Sequence, residues 1–332
     1  MFDWFERKMF QGDRELRLLI SKESAELSTH DKQLLFNSCV EIINLELSSY
    51  CNRRCDYCPV STSSRKDSQI LMEDALFHAI VSDLQLINYS KSISLNLYNE
   101  PLCNEKFITQ LAALRERLPL AWLQFNSNGD YVDEAIMEQL AKSGLNALCI
   151  TIHPPPNKEY NSEELLKRLV ILLGQLNRKS SIVDAETALD AGNNCFSLSY
   201  MGIALKVQWP NWRKVGSSRG GEIKHLEENR PVRTAPCARP FREFTIYFDG
   251  TVTPCCEIFH DADNSQPLKV ASLMDRSLFN VYADQMLSEF RKSLFLFGEK
   301  KGVCRYCPVA DNSREDHAEL RNEIFNRSEV AQ

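Results

Sequence analysis

Between residues 39 and 209 the chain repeats one alternation, and this restricts its fold more than any other feature. Short apolar, β-rich runs at 40–47, 92–97, 122–127, 147–152 and 204–209 are separated by stretches whose apolar residues recur at helical spacing. Leu76, Phe77, Ile80, Val81 and Leu84 form one stripe, Ile108, Leu111 and Leu114 a second, and Ile136, Met137 and Leu140 a third. Such a chain buries its strands beneath crossover helices, which predicts β/α units around a parallel sheet. Asp133 can cap the third helix, and Gly144 can take the left-handed conformation at its end. A fourth helix is expected from Ser162, with Glu163 and Glu164 in the first turn where they suit the helix dipole. Residues 184–191 read as helical, while 196–205 fit a strand or a helix.

The flanks have a different texture. Residues 1–38 read as a helical extension of mixed charge. A loop at 213–221 holds Gly216, Gly220, Gly221 and paired serines, and reads as a connector. Beyond Pro231 comes a strand at 244–248, the hairpin-turn signal Asp249-Gly250, and a returning strand at 251–253. One helix is then expected with Val281, Tyr282, Met286, Phe290 and Leu294 on one side, stopping near Gly298. From Ser313 the end reads as a charged helix or a frayed tail. Three parts are expected: 1–38, 39–215 and 216–332.

Among the 332 residues, 43% are hydrophobic and 25% charged, the balance of a globular chain. A net charge of −6 leaves no basic footprint for nucleic acid. The N-terminus lacks the apolar run of a signal peptide, and no run approaches the ~18 residues of a membrane span. The chain therefore reads as cytoplasmic, without a nucleic-acid or membrane partner. In a reducing compartment, clustered cysteines are metal ligands or redox groups before they are disulfides.

Twelve cysteines are present, and seven fall into two clusters. Directly after the first strand the chain reads Cys51-Asn-Arg-Arg-Cys55-Asp-Tyr-Cys58. Three thiolates on one loop can hold three irons of a four-iron cluster and leave the fourth open, whereas a structural zinc site normally closes with four ligands. The end of a strand is also where α/β folds place active sites. In the second cluster, twelve residues separate Cys237 from Gly250, four separate Gly250 from Cys255, and Cys304-Arg-Tyr-Cys307 follows after a helix. These four thiolates suit either zinc or an iron–sulfur cluster. Cys256 is a spare ligand beside Cys255, and Cys39, Cys103, Cys149 and Cys195 read as core residues.

The first motif resembles that of the radical S-adenosylmethionine (radical SAM) superfamily, with Tyr57 in the family's aromatic slot. Tyr98-Asn99-Glu100-Pro101 stands where the family shows Gly-Gly-Glu-Pro; the glutamate that binds the methionine ammonium is retained as Glu100, and both glycines are replaced. Ser127-Asn128-Gly129 is similar to the family's Thr-Asn-Gly, and Thr151 stands where a serine meets the ribose or carboxylate of SAM. The second cluster is similar to the first part of the SPASM extension. No cysteine follows Cys307, which matches the shortened Twitch form with a single auxiliary cluster.

The resemblance implies a partial (β/α)6 radical SAM barrel with a C-terminal Twitch domain of hairpin plus helix. Its implied cofactors are SAM and two 4Fe-4S clusters, one SAM-binding and one auxiliary, fed by a flavodoxin- or ferredoxin-type electron donor. Reductive cleavage of SAM would then yield a 5′-deoxyadenosyl radical that abstracts a hydrogen atom. The overall plan is similar to that of family members that oxidise a ring alcohol of an inosamine. A small polar substrate of sugar or aminocyclitol type is expected, with oxidation, epimerisation or decarboxylation as outcome. The alternatives are a maturase acting on a ribosomally made peptide and a non-catalytic metal scaffold. His153, Tyr98, Trp209, Trp212 and Arg213 are candidate substrate contacts, set against packing roles.

Overall fold

The computed structural model describes residues 3–155, 158–177, 187, 194–262, 268–309 and 313–330. The helix expected at 184–191 falls outside them, Thr187 apart. In chain order the strands are β1 (Ile42–Leu45), β2 (Ser92–Ser94), β3 (Trp122–Ser127), β4 (Ala147–Thr151), β5 (Cys195–Tyr200), β6 (Ile203–Gln208), β7 (Glu243–Ile246), β8 (Thr251–Thr253) and β9 (Ala271–Ser272). The chain divides into two compact units, each discontinuous in sequence. One comprises Leu45–Met72 and Asn88–Gly216, the other Met1–Asn44, Glu73–Ile87 and Ser217–Gln332.

In the first unit the strand order is β5-β6-β4-β3-β2. β2, β3, β4 and β6 run parallel, with Ser94 opposite Gln124, Ser127 opposite Ile150, and Thr151 opposite Gln208. Helices Phe107–Arg117, Glu134–Lys142 and Ser162–Gln175 bury the expected stripes, with Leu111, Met137, Leu140 and Leu169 fully enclosed. The Asp133 side chain accepts the Ile136 N–H as a cap, and Asn161 caps the fourth helix by accepting from Glu163 and Glu164. The parallel pattern is broken at β5, which pairs antiparallel with β6. Met201 and Gly202, both with positive φ (52° and 81°), form the two-residue link, the geometry whose twist suits a tight hairpin. Ser197 and Ser199 face water along this edge, so an alternating strand forms where a helix was equally open.

In the second unit the strand order is β1-β7-β8-β9. The hairpin predicted around Asp249-Gly250 is present: β7 pairs antiparallel with β8, and Gly250 has φ +81°. Residues 1–38 form three helices and most of a fourth, Thr29–Cys39. Phe5 packs against Phe241 and Phe295 with ring centroids 4.8 and 5.7 Å apart, and Phe36 against Phe244, Phe279 and Tyr282. The single helix expected through 281–294 is two, Leu278–Tyr282 and Gln285–Phe295. Asp284 caps the second by accepting the Met286 N–H, and this restart shifts the phase, so Met286 is exposed and Leu287 is buried. The charged C-terminal stretch holds a helix, Ala318–Val330. Among the described residues no helix is long and apolar enough to cross a membrane.

Candidate active site

The loop that carries Cys51, Cys55 and Cys58 follows β1, and its anchors come from the loops after β2 and β3. Glu100 N–H donates to the Tyr50 carbonyl at 2.9 Å. Asn128 Nδ2 donates to Asn52 Oδ1 at 2.7 Å and lies 4.0 Å from Cys51 Sγ. Arg53 holds Asp130 through two nitrogens, Nε at 2.8 Å from Oδ2 and Nη2 on Oδ1, while Asn52 Nδ2 donates to the same carboxylate at 2.8 Å. Bidentate guanidinium–carboxylate pairing fixes orientation as well as distance, so the three-cysteine loop is held in register with β3. The three thiols are electrostatic neighbours, and burial pushes Cys51 up to about 12 and Cys55 up to about 11. Metal ions that take them as thiolates must displace those protons.

Glu100 is 2% exposed. Its Oε1 accepts from Ser127 Oγ (2.9 Å) and Leu102 N (3.2 Å), and Oε2 accepts from Asn128 N (2.7 Å). Burial raises its carboxyl to about 7 against those hydrogen bonds. Glu100 thus ties the loop after β2 to the loop after β3. A second buried acid, Glu46, pairs with Arg65 at 2.9 Å and accepts the Tyr98 N–H. Sequence reasoning missed this pair, because neither residue belongs to a motif and their partnership exists only in the fold.

Two cavities of about 240 Å3 each open beside the cysteine loop. Cys55, Tyr57, Pro154 and Pro155 line one, Asn128, Gly129, Ile152 and Leu172 line the other, and Arg53, Asp130 and Arg168 line both. Arg168 also escaped the sequence reading. Its Nη2 stands 3.9 Å from Asp130 Oδ1, so one carboxylate serves two guanidiniums and a positive charge is left over at the cavity wall. Tyr57 OH lies 2.7 Å from His153 Nδ1, with the rings stacked 5.9 Å apart. Burial, then the Arg53 charge, lowers His153 to about 3, so it is neutral. Thr151 Oγ1 accepts from Gln208 Nε2 at 3.1 Å.

The expected substrate contacts divide. Trp209 is 2% exposed and packs toward Phe196, and Tyr98 is 7% exposed; neither is among the residues lining these two cavities. Trp212 lies beside Tyr57 and Arg213 pairs with Asp56 of the cysteine loop, so these two support the loop from the chain after β6.

In the other unit Cys237, Cys255, Cys304 and Cys307 line a single small cavity with Arg233, Phe290 and Leu294. The hairpin brings Cys255 back past its turn, and Cys237 N–H is anchored on the Leu294 carbonyl at 3.0 Å. Burial raises Cys255 well above its usual value and Cys304 to about 12, with Cys237 an electrostatic neighbour of both. Among the described residues no three ligand side chains are closed round a single ion; the fit to a cluster rests on four thiols sharing one cavity, since thiolates on separate irons are spaced more widely. Cys256 does not line it. Its sulfur is 2.8 Å from Arg239 Nη1 and 3.6 Å from Glu243 Oε2. Of the remaining cysteines only Cys39 is fully buried; Cys103, Cys149 and Cys195 are half-buried.

Comparison with known proteins agrees with this pairing of sites. Residues 45–191 match the Radical SAM superfamily, and residues 237–308 match SPASM, an iron-sulfur cluster-binding domain. An S-adenosyl-L-methionine-dependent 2-deoxy-scyllo-inosamine dehydrogenase from Niallia circulans is 22% identical over 267 residues, 80% of this chain and 92% of that protein. The crystal structure of BtrN in complex with AdoMet and 2-DOIA is similar in fold, with TM-score 0.58 and 20% identity over 82% of this chain and 94% of the other. An open form of BtrN gives 0.50, with 18% identity over 81% and 92%. The cofactors are SAM and two 4Fe-4S clusters. The chain is an oxidoreductase-type enzyme with a radical SAM domain matched at residues 45–191 and a SPASM-type iron–sulfur domain matched after it at residues 237–308.

Proposed function

We propose that the chain oxidises a small polar substrate of sugar or aminocyclitol type, most simply a ring alcohol to a ketone. Epimerisation and decarboxylation are the neighbouring outcomes, and a peptide is the competing substrate class. The observation that carries this reading is the small cavity shared by four thiols. An iron cluster with a cysteine on every iron can exchange electrons but has no site for substrate, and an oxidation needs such an acceptor. The names of the Niallia circulans relative and of the BtrN complex point to the same class of chemistry.

In this reading Cys51, Cys55 and Cys58 hold the SAM-binding cluster, and Cys237, Cys255, Cys304 and Cys307 the auxiliary one. When loaded, the first cluster supplies the electron that splits SAM and so starts hydrogen abstraction. The protein's own residues bind and orient. Arg168, with its unbalanced charge at the cavity wall, takes the methionine carboxylate. Glu100 has hydrogen-bonding capacity left on Oε2 for the ammonium, and Asn128, Thr151 and Tyr57 border the rest of the ligand. A flavodoxin- or ferredoxin-type donor and a cytoplasmic location belong to the same proposal. So does the division into an extension at 1–38, a radical SAM core at 39–215 and an auxiliary domain at 216–332.

Anaerobic reconstitution tests this. About eight irons per chain are expected from two four-iron clusters, with SAM cleavage on reduction and a ketone product from an aminocyclitol or sugar alcohol. Cys304→Ala should keep SAM cleavage and lose the ketone. Unchanged product from that variant, or turnover of candidate precursor peptides alone, would overturn the assignment.

A further inference from the structure

The charged groups at and next to the four-thiol cavity form two sets. In the first, Arg239 lies 3.5 Å from both Glu243 and Glu257, and Arg219 lies 2.6 Å from Glu257. Two guanidiniums meet two carboxylates there, and the charges cancel. The second set holds cations alone. Arg233 is 8% exposed and lines the cavity. Its guanidinium donates only to backbone carbonyls, to Ala235 at 3.0 Å, Val309 at 2.5 Å and also Pro236. Lys300 is 5% exposed, and its Nζ donates to the Leu296 carbonyl at 2.5 Å. Lys300 N–H also donates to the Arg233 carbonyl at 2.8 Å, so the two residues are neighbours in the backbone as well. Among the described residues neither cation has a carboxylate within ion-pair distance.

Two buried cations side by side, satisfied only by carbonyl dipoles, are unfavourable unless a counter-charge stands near. The anions at hand are the thiols themselves. Cys304 is an electrostatic neighbour of both Arg233 and Lys300, and Cys237 of Lys300. Four thiolates around a 4Fe-4S core leave it with net negative charge, more so after reduction, and net charge in the surroundings is one of the protein's controls on such potentials. A fixed positive charge in a poorly solvated site favours the reduced, more negative state.

We propose that Arg233 and Lys300 are tuning residues that raise the reduction potential of the auxiliary cluster, poising it to take the electron released from the substrate. This rests on the assignment of the four cysteines to that cluster. Neither side chain is a ligand. They act through the cluster's charge, while Arg239, balanced by Glu243 and Glu257, contributes little net field.

The test is an EPR-monitored redox titration of the reconstituted full-length enzyme. Lys300→Met and Arg233→Gln should each make the auxiliary cluster harder to reduce, by about tenfold in the one-electron equilibrium, which is ~59 mV. The SAM-binding cluster should titrate as in the unaltered enzyme, and Arg233→Lys, which keeps the charge, should stay near it too. Because Arg233 also holds three carbonyls, Arg233→Gln can fail to assemble; Lys300→Met then decides. An auxiliary potential unmoved by Lys300→Met in protein that keeps both clusters overturns the proposal. Failure of the underlying assignment is seen separately, as about four irons per chain before any substitution is made.

Discussion

Glu100 and Asp130 show how two carboxylates build the radical site before any cofactor arrives. Asp130 is spent on Arg53, Asn52 and, at longer range, Arg168; Glu100 is spent on the backbone of residues 102 and 128 and on Ser127. The thiols were legible because their spacing is local and their chemistry narrow. Asp130, Arg168, Glu46 and Arg65 were not, because an ion pair between loops far apart in sequence leaves no periodic mark. Glu100 makes a pH prediction. Its carboxyl moves from an ordinary 4.5 to about 7 because it is buried, so the folded chain holds this proton more tightly than the unfolded one. The associated stability is complete below about 4.5 and is lost as pH rises through about 7. Glu100→Gln removes this titration. In chain free of clusters and SAM, the melting temperature of Glu100→Gln relative to the unaltered protein should therefore climb between pH 5 and pH 8 (~2–3 units of the window above). A difference constant across that range would mean that Glu100 ionises as an ordinary solvated acid.

At the scale of elements, local rules worked where a segment's own neighbours decide its conformation. β3 spans the residues predicted for it, and the helical stripes at 76–84, 108–114 and 136–140 turn inward, with Ile108 and Ile136 half-buried at their margins. They failed where a short link chooses the partner. Met201-Gly202 has no asparagine or aspartate to announce a hairpin, yet it turns β5 antiparallel, and Asp284 restarts a helix that periodicity alone would run through. Two glycines of the first unit give opposite expectations. Gly129, after β3, has φ +79°, and a Cβ there would stand 2.8 Å from Ile150 Cγ2. Gly129→Ala should cost at least ~1–2 kcal/mol from the left-handed backbone, plus the crowding of Ile150. Gly174 lies in the helix Ser162–Gln175 with nothing within 4 Å of its Cβ position, so Gly174→Ala should stabilise by ~0.4–1 kcal/mol. Denaturant midpoints of the two variants check both signs, and equal shifts would deny the difference in backbone conformation.

For the whole molecule, the question is whether residues 1–38 are an appendage or part of the body that carries the second set of thiols. They belong to the same compact unit as Ser217–Gln332. Trp4, Phe5, Leu16, Leu19 and Phe36 are each at most 3% exposed. Arg321, itself fully buried, lies with its guanidinium 4.4 Å from the Phe5 ring centroid. Phe241, against which Phe5 packs, stands four residues after Cys237, and Phe295 follows Leu294, whose carbonyl anchors Cys237. Burying one large apolar side chain contributes ~1.5–3 kcal/mol, so these five together are comparable to the ~5–15 kcal/mol that holds a typical domain folded. Deleting residues 1–38 would also expose Phe241, Phe244 and Phe295 to water. The truncated chain is therefore expected to be insoluble or to lose the irons of the Cys237 site, and to be cleaved quickly by protease within Ser217–Gln332. A soluble truncated chain with the full iron content and an unchanged unfolding midpoint would instead make the N-terminal helices a dispensable attachment.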